Sequence, residues 1–403
     1  MTVTTAPEPV VVDELITETA DRLFGELCTH EAVQAAEEAG GAPDIWDAFC
    51  ETGFDLIAVP EEAGGSGGTL AEAIEVLRLV GYHSAPIPAA ENGILGGWLL
   101  ASAGLERPDG LVTVVPPRVG SGLRMTSDDR TASEGQSACD SAAGCMTGAG
   151  TGGCTVEIGD DGRAHFSGTA ARVPWASTAE MIVCVCECDG QTTVVAVPAS
   201  ECEITPLPNM AGEPRDTVRF GGATGVAAPA PDGVDAEALA QRGALSRVAL
   251  MAGAIEKMCQ LTVSYTNERV QFGRPVARFQ AVQQHLVWAA QDAALVRMAA
   301  EVAAREATRG EAPFEIAAAK LIANQAAARA TKACHQAHGA MGMTQEYPLH
   351  HFSRRLWSWR KEYGSDAHWS AVLGEMATGV GADGLYPLIT SGTTALPVTL
   401  QCS

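Results

Sequence analysis

The sequence predicts a multi-domain α+β protein, with an N-terminal helical domain, a small central antiparallel β domain and a C-terminal helical bundle. Three observations carry this expectation. Apolar residues recur at helical spacing at both ends of the chain, and short β-like runs separated by turn residues fill its middle. No Gly-x-Gly-x-x-Gly follows a strand, so the order of elements favours separate layers over a wound α/β sheet.

The N-terminal domain is expected over residues 1–112. VDELITETADRLFGELC, TLAEAIEVLRLVGYH and ENGILGGWLLASAGL each carry the helical period. The glycine-dense stretch at 60–68 reads as a loop, and Thr69 as the cap of the helix after it. The β domain is expected over 113–228, from runs such as LVTVVPP, RAHFSG, MIVCVCECDG and TTVVAVPA, with a hairpin signal at Asp189-Gly190. Residues 127–153 are polar, rich in Gly and Ser and without period, and read as a long insert. Three long amphipathic segments give a helical bundle over 229–380, and 381–403 reads as an irregular tail.

The 403 residues allow two or three domains with ample core, since 46% are hydrophobic and 19% charged. A net charge of −23 argues against nucleic acid, because phosphate binding needs a basic face. A few placed arginines remain compatible with an anionic ligand. No apolar run reaches the roughly eighteen residues of a membrane span, and no basic segment precedes an apolar core at the N-terminus. A cytoplasmic protein is the expectation.

Twelve cysteines raise the question of metal or disulfides, but a chain of this size needs no staples and no pair has zinc spacing. Cys184, Cys186 and Cys188 alternate, which puts all three on one strand face as small apolar residues. No metal is expected.

Two segments stand out. One is Glu-Arg-Val-Gln-Phe-Gly-Arg-Pro at 268–275, followed by Arg-Phe-Gln at 278–280. The other is His-Gln-Ala-His-Gly-Ala-Met-Gly at 335–342, running into Thr-Gln-Glu-Tyr-Pro at 344–348. A weaker third is Gly-Phe-Asp-Leu-Ile-Ala-Val-Pro at 53–60 with its glycine-rich loop. In this order the chain resembles the acyl-CoA dehydrogenase family over most of residues 15–380.

The resemblance implies FAD, and the residues suit a dinucleotide pyrophosphate. Arg269 offers a planar donor fork, while Gly339 and Ala340 keep side chains away from a ligand. Gln280 and Gln336 can hydrogen-bond ribose or phosphate, and Phe272 can pack on the cofactor. In the family, the Arg, Phe and Gln of one subunit and the Gln-x-x-Gly-Gly loop of another share one FAD. By resemblance these roles fall to Arg269, Phe272 and Gln280, and to Gln336, Gly339 and Ala340. Implied partners are an acyl-CoA substrate, a second copy or a homologous subunit, and an electron-accepting flavoprotein. Taken singly, Arg269 paired with a carboxylate, Phe272 in the core and Gly339 as a helix cap are equally ordinary readings.

The middle of the chain departs from the family. Its Thr-x-Pro-x-x-Gly-Ser-Asp loop has no counterpart at 124–129, and its Trp-x-Thr segment is replaced by Arg172-Val173-Pro174 ahead of Trp175. The base departs further. Most members abstract the substrate α-proton with a Glu just before a Gly, and that place holds Tyr363, before Gly364. Glu362 is one helical step away, about 100° out of phase. Other members carry the Glu on the first long helix of the bundle, where Gly243 or Ser246 stands, and no carboxylate occurs between Glu237 and Glu256.

Three readings follow: a subunit whose homologous partner supplies the Glu, a distorted use of Glu362, or other flavin chemistry such as an oxygenase. A helical binding protein without cofactor is the alternative outside the enzyme class. The aromatic, basic segment 354–369 suits either a subunit contact or a core.

Overall fold

Side-chain caps fix where the first helices begin. Asp13 accepts the Leu15 N–H at 2.9 Å and opens α1 (Glu14–Leu27), and Thr29 opens α2 (His30–Ala39). A proline at its first turn starts α3 (Pro43–Glu51). Thr69 caps α4 (Leu70–Tyr82) as the sequence predicted, within a reciprocal box in which Glu72 accepts the Thr69 N–H at 2.8 Å. A π-helical segment, Ala90–Gly97, runs into α5 (Trp98–Ser102). The computed structural model describes residues 10–117, 155–158, 163–188 and 190–396. The expected insert at 127–153, the stretch 124–129 and Asp189 lie outside them.

Two sheets follow. The larger contains β1 (Val112–Val114), β2 (Thr155–Ile158), β3 (Arg163–Ser167), β5 (Met181–Cys188), β6 (Gln191–Pro198) and β9 (Ala223–Pro229) in the order β1-β5-β6-β9-β3-β2. The smaller has the order β4-β8-β7, from β4 (Thr169–Pro174), β7 (Glu203–Thr205) and β8 (Arg215–Arg219). All pairings are antiparallel except one: β1 lies parallel to β5, Val112 opposite Met181. A parallel neighbour needs a long crossover, and the chain leaves β1 for a long excursion before it returns at β5. Phe166, Val195, Val218 and Phe220 fill the β core together with Cys184, Cys186 and Cys188, the predicted apolar face.

The bundle consists of α6 (Ala236–Glu268), α7 (Gln280–Arg309), α8 (Pro313–His338), α9 (Leu349–Trp359) and α10 (Asp366–Ser391). A two-residue ladder of β10 (Val270–Gln271) and β11 (Arg274–Pro275) connects α6 to α7. α6 crosses α4 at backbone contact: a Cβ on Gly253 would lie 1.8 Å from the Arg78 carbonyl oxygen. One apolar core therefore runs from α4 through α6 into α7 and α8.

The tail is more regular than expected. α10 continues past a break at Gly381 (φ 70°) to Ser391, and Gly392–Ala395 forms a 3₁₀ turn. Gly381, Gly384 and Pro387 erase the sequence period, but tertiary contacts restore order. Thr393 donates its N–H to Glu315 at 2.9 Å and accepts that of Phe314 at 3.1 Å, and Leu388 is buried.

Candidate functional site

The bundle and the β domain meet at the turn after α9. Lys320, buried on α8, donates its ammonium to Asn324 Oδ1 at 2.7 Å and to the Trp359 and Gly364 carbonyls at 3.4 Å each. Trp369 Nε1 donates to the Tyr363 carbonyl at 3.0 Å. Together these contacts hold Tyr363 (φ 51°) and Gly364 (φ 105°) in left-handed backbone. Burial pushes the Lys320 pKa down to about 7, with Glu362 pulling the other way.

Beside this turn opens a cleft of about 520 Å³, lined by Arg172, Pro174, Met210, Trp357, Glu362 and Tyr363. Arg172 has φ 61° within an irregularity of β4 between Ala170 and Val173, which aims it into the cleft. Trp175 points elsewhere. It is 4% exposed and lines, with Glu91, Leu250 and Trp359, a separate small space.

Glu362 is spoken for. Its Oε1 accepts from Arg215 Nε at 2.8 Å and its Oε2 from Arg247 Nε at 2.6 Å. Burial alone would raise its pKa, but the two guanidiniums outweigh it and hold the carboxyl at about 2. A carboxylate so tightly paired stays ionised and is a weak base. The network extends both ways. Arg247 Nη2 reaches Glu91 at 2.5 Å, and Arg215 pairs with Glu213, which also accepts from Trp359 Nε1 at 3.1 Å. Arg355 bridges Glu213 (3.2 Å) to Glu37, which Arg354 also engages. His351 Nδ1 lies 2.9 Å from Glu37, and its Nε2 lies 2.9 Å from His30 Nδ1. Glu37, His350 and His351 have ligand-type atoms within 4.8 Å of one another, but two arginines already occupy the carboxylate, and the cluster is an ion-pair junction.

Tyr363 stands where the resemblance puts a base. It is 5% exposed, and burial pushes its phenol pKa well above the usual value, with Arg247 the main opposing influence. Its ring fills the space over Gly243: a Cβ there would sit 2.2 Å from Tyr363 Cε1. Arg247 lies over the ring at 5.3 Å. The two alternative base positions are therefore in contact, and neither carries a carboxylate. Ser246 is turned away, its hydroxyl donating to the Arg242 carbonyl at 2.9 Å in the helix interior.

The predicted cofactor residues lie at the far end of the bundle and face solvent. Arg269 ends α6 and forms no salt bridge among the described residues. Phe272 tops the β10–β11 turn with φ 51° and 91% exposure. Gln280 starts α7, Gln336 lies in the last turn of α8, and Gly339 (φ 63°) ends it with Ala340 beside it; all are exposed. The aromatic group Tyr265–His338–Tyr347 joins the ends of α6 and α8, with Tyr265 stacked on His338 at 4.5 Å. His335 Nδ1 and His338 Nε2 are buried without a hydrogen-bond partner among the described residues.

Of the aromatic segment 354–369, Trp359 and Trp369 are core, while Trp357 is 42% exposed at the cleft. Among the described residues no helix is long and apolar enough to cross a membrane.

The chain thus has three parts, N-terminal helices, a small β domain and a helical bundle, with a cleft between the last two and an exposed Arg/Phe/Gln loop at the bundle's end. Residues 13–107 match the acyl-CoA dehydrogenase N-terminal domain and residues 235–367 the acyl-CoA dehydrogenase C-terminal domain. The chain belongs to the acyl-CoA dehydrogenase family, oxidoreductases that act on CH–CH groups. It is 26% identical over 349 residues to acyl-CoA dehydrogenase FadE27 of Mycobacterium tuberculosis, covering 82% of this chain and 88% of that one. The ChsE4-ChsE5 complex of the same organism superposes with a TM-score of 0.77 at 21% identity, over 92% of this chain and 98% of that one. Butyryl-CoA dehydrogenase of Megasphaera elsdenii gives 0.75 at 16% identity, over 92% and 99%.

Proposed function

We propose that this chain is an FAD-binding subunit of an acyl-CoA dehydrogenase-type enzyme whose proton-abstracting carboxylate comes from a homologous partner. The observation that carries the reading is the pairing of Glu362 with Arg215 and Arg247, while Tyr363 occupies the place of the base. A phenol with a raised pKa stays neutral near pH 7 and takes no proton from a substrate carbon. The support for a partner is the exposure of the cofactor residues, with Phe272 in open solvent on this chain.

The residues fit FAD. Among the described residues Arg269 forms no salt bridge, Gly339 holds a left-handed loop, and two histidine nitrogens beside that loop have no hydrogen-bond partner. Arg269 would meet the pyrophosphate, Gln280 and Gln336 its ribose or phosphate oxygens, and Phe272 its ring system, while Gly339 and Ala340 admit close approach. When bound, the flavin supplies the hydride acceptor for α,β-desaturation of an acyl-CoA thioester. An electron-accepting flavoprotein would then reoxidise the complex. A cytoplasmic setting suits the thiols of Cys28, Cys50, Cys202, Cys259 and Cys334, which form no disulfide among the described residues.

The test is acyl-CoA-dependent reduction of an artificial electron acceptor by the purified chain, alone and with homologous subunits that carry the Glu. The chain alone should be roughly two to four orders of magnitude slower than the pair. Robust turnover by the chain alone overturns the partner reading. A colourless chain that no flavin reconstitutes, with or without partners, overturns the flavoprotein reading.

A further inference from the structure

Three imidazoles crowd together where α2 meets α9: His30 from the first helix, His350 and His351 from the second. Their ring centroids are 4.0 Å apart for His350 and His351, 5.0 Å for His30 and His351, and 5.9 Å for His30 and His350. His30 Nδ1 stands 2.9 Å from His351 Nε2, so two ring nitrogens face each other over a single shared hydrogen. His351 is buried, whereas His30 and His350 are half-buried and reachable from solvent.

The opposite nitrogen of each α9 imidazole is already committed. His350 Nδ1 lies 2.9 Å from the Tyr347 carbonyl, which can only accept, so Nδ1 carries the hydrogen and Nε2 a free lone pair. His351 Nδ1 lies 2.9 Å from Glu37, a carboxylate that Arg354 and Arg355 keep ionised, and the same tautomer follows. Glu37 is therefore spent on its ion pairs and orients a ligand without being one. Metal-binding histidines are commonly held in this way, one nitrogen on a carboxylate or carbonyl and the other on the ion. Burial lowers the pKa of His350 and of His351, which favours the neutral form that a metal needs.

The spacing also suits an ion. Three imidazoles on one tetrahedral zinc, with bonds of about 2.0–2.1 Å, place their ring centroids about 5 Å apart. The three observed separations straddle that value, and the widest pair has only about 1 Å to close. Arg354 and Arg355 bring positive charge to this corner, but Glu37 and Glu213 pair with them.

We propose that His30, His350 and His351 form a site for a zinc-type divalent cation that clamps α2 to α9. His30 binds through Nδ1 with its hydrogen on Nε2, and His350 and His351 bind through Nε2. Neutral imidazoles suit zinc, and a water completes the tetrahedron. The role is structural and independent of the flavin, because the ion ties together helices 321 residues apart in sequence.

The experiment uses the full chain, in whatever assembly it forms, dialysed against a chelator and titrated calorimetrically with Zn²⁺. One Zn²⁺ should bind per chain, and saturation should raise the melting temperature. His30→Gln and His350→Gln should each weaken binding at least about tenfold, while His165→Gln, at an exposed position of β3, should leave it unchanged. Co²⁺ is the spectroscopic probe: its difference spectrum should show four-coordinate bands without thiolate charge transfer. Absence of stoichiometric Zn²⁺ binding overturns the proposal. So does binding that survives His30→Gln and His350→Gln, or a thiolate band, which would move the ion to the cysteines. Melts of both variants without zinc check their folding, and if one fails to fold, the other and the Co²⁺ spectrum of the native chain decide.

Discussion

Arg247 donates to Glu362 across 115 residues of sequence, at 2.6 Å, and together with Arg215 it keeps that carboxylate paired. The same guanidinium holds Glu91 at 2.5 Å, so a buried cation shared by two carboxylates sits beside the place where a base would stand.

Glu362→Gln should therefore act on stability. The substitution leaves Arg215 and Arg247 short of a counter-charge in a buried site, a loss of about 3–5 kcal/mol. Urea titration of native and variant chains measures it. A variant of native stability with lost turnover would instead mark Glu362 as the base.

Stability should fall as the pH drops from roughly 4.3 towards 2. Glu362 and Glu37 both have folded pKa values near 2, below the unfolded value, so their contribution is complete above that value and is lost as protons bind the folded state. Thermal melts across this window check the slope, and Glu362→Gln should flatten it.

Gly243→Ala should cost about 1–3 kcal/mol through overpacking against the Tyr363 ring. In a Tyr363→Ala background the same change should cost little. A double-mutant cycle on chemical unfolding reports the coupling, and additive losses would separate the two residues.

Lys320→Met keeps the volume but strips hydrogen bonds from Asn324 and from the Trp359 and Gly364 carbonyls. A loss of about 1–3 kcal/mol is expected for each acceptor left unpaired. Calorimetric melting gives the value.

Arg269→Ala should strip the flavin with little change in folding, because the side chain is exposed and makes no salt bridge among the described residues. Flavin absorbance per mole of protein is the readout. Undiminished FAD would remove Arg269 from the cofactor site.

The order of helices, sheet and bundle was readable because it rests on local period. Thr69 announced its helix through its own hydroxyl, and the alternating cysteines announced a strand face. The charge network was far less readable, since Glu362 and Arg215 are 147 residues apart and no local pattern joins them. A faint signal existed: Arg247 interrupts the apolar run ALSRVALMAG, and Glu91 sits in a stretch that is buried throughout. A charge in such a place needs a buried partner. The parallel pairing of β1 and the helix beyond Gly381 escaped for the same reason, because both depend on contacts with distant segments.

The buried ion pairs also bear on how the molecule comes apart. Glu91 belongs to the N-terminal helices, Arg215 to the β sheets, Arg247 to the long bundle helix and Glu362 to the turn after α9. Separating any of these regions from its neighbour breaks at least one buried ion pair. These pairs oppose opening between the regions, and agreement of calorimetric and van't Hoff enthalpies would show that they make the chain melt as one unit.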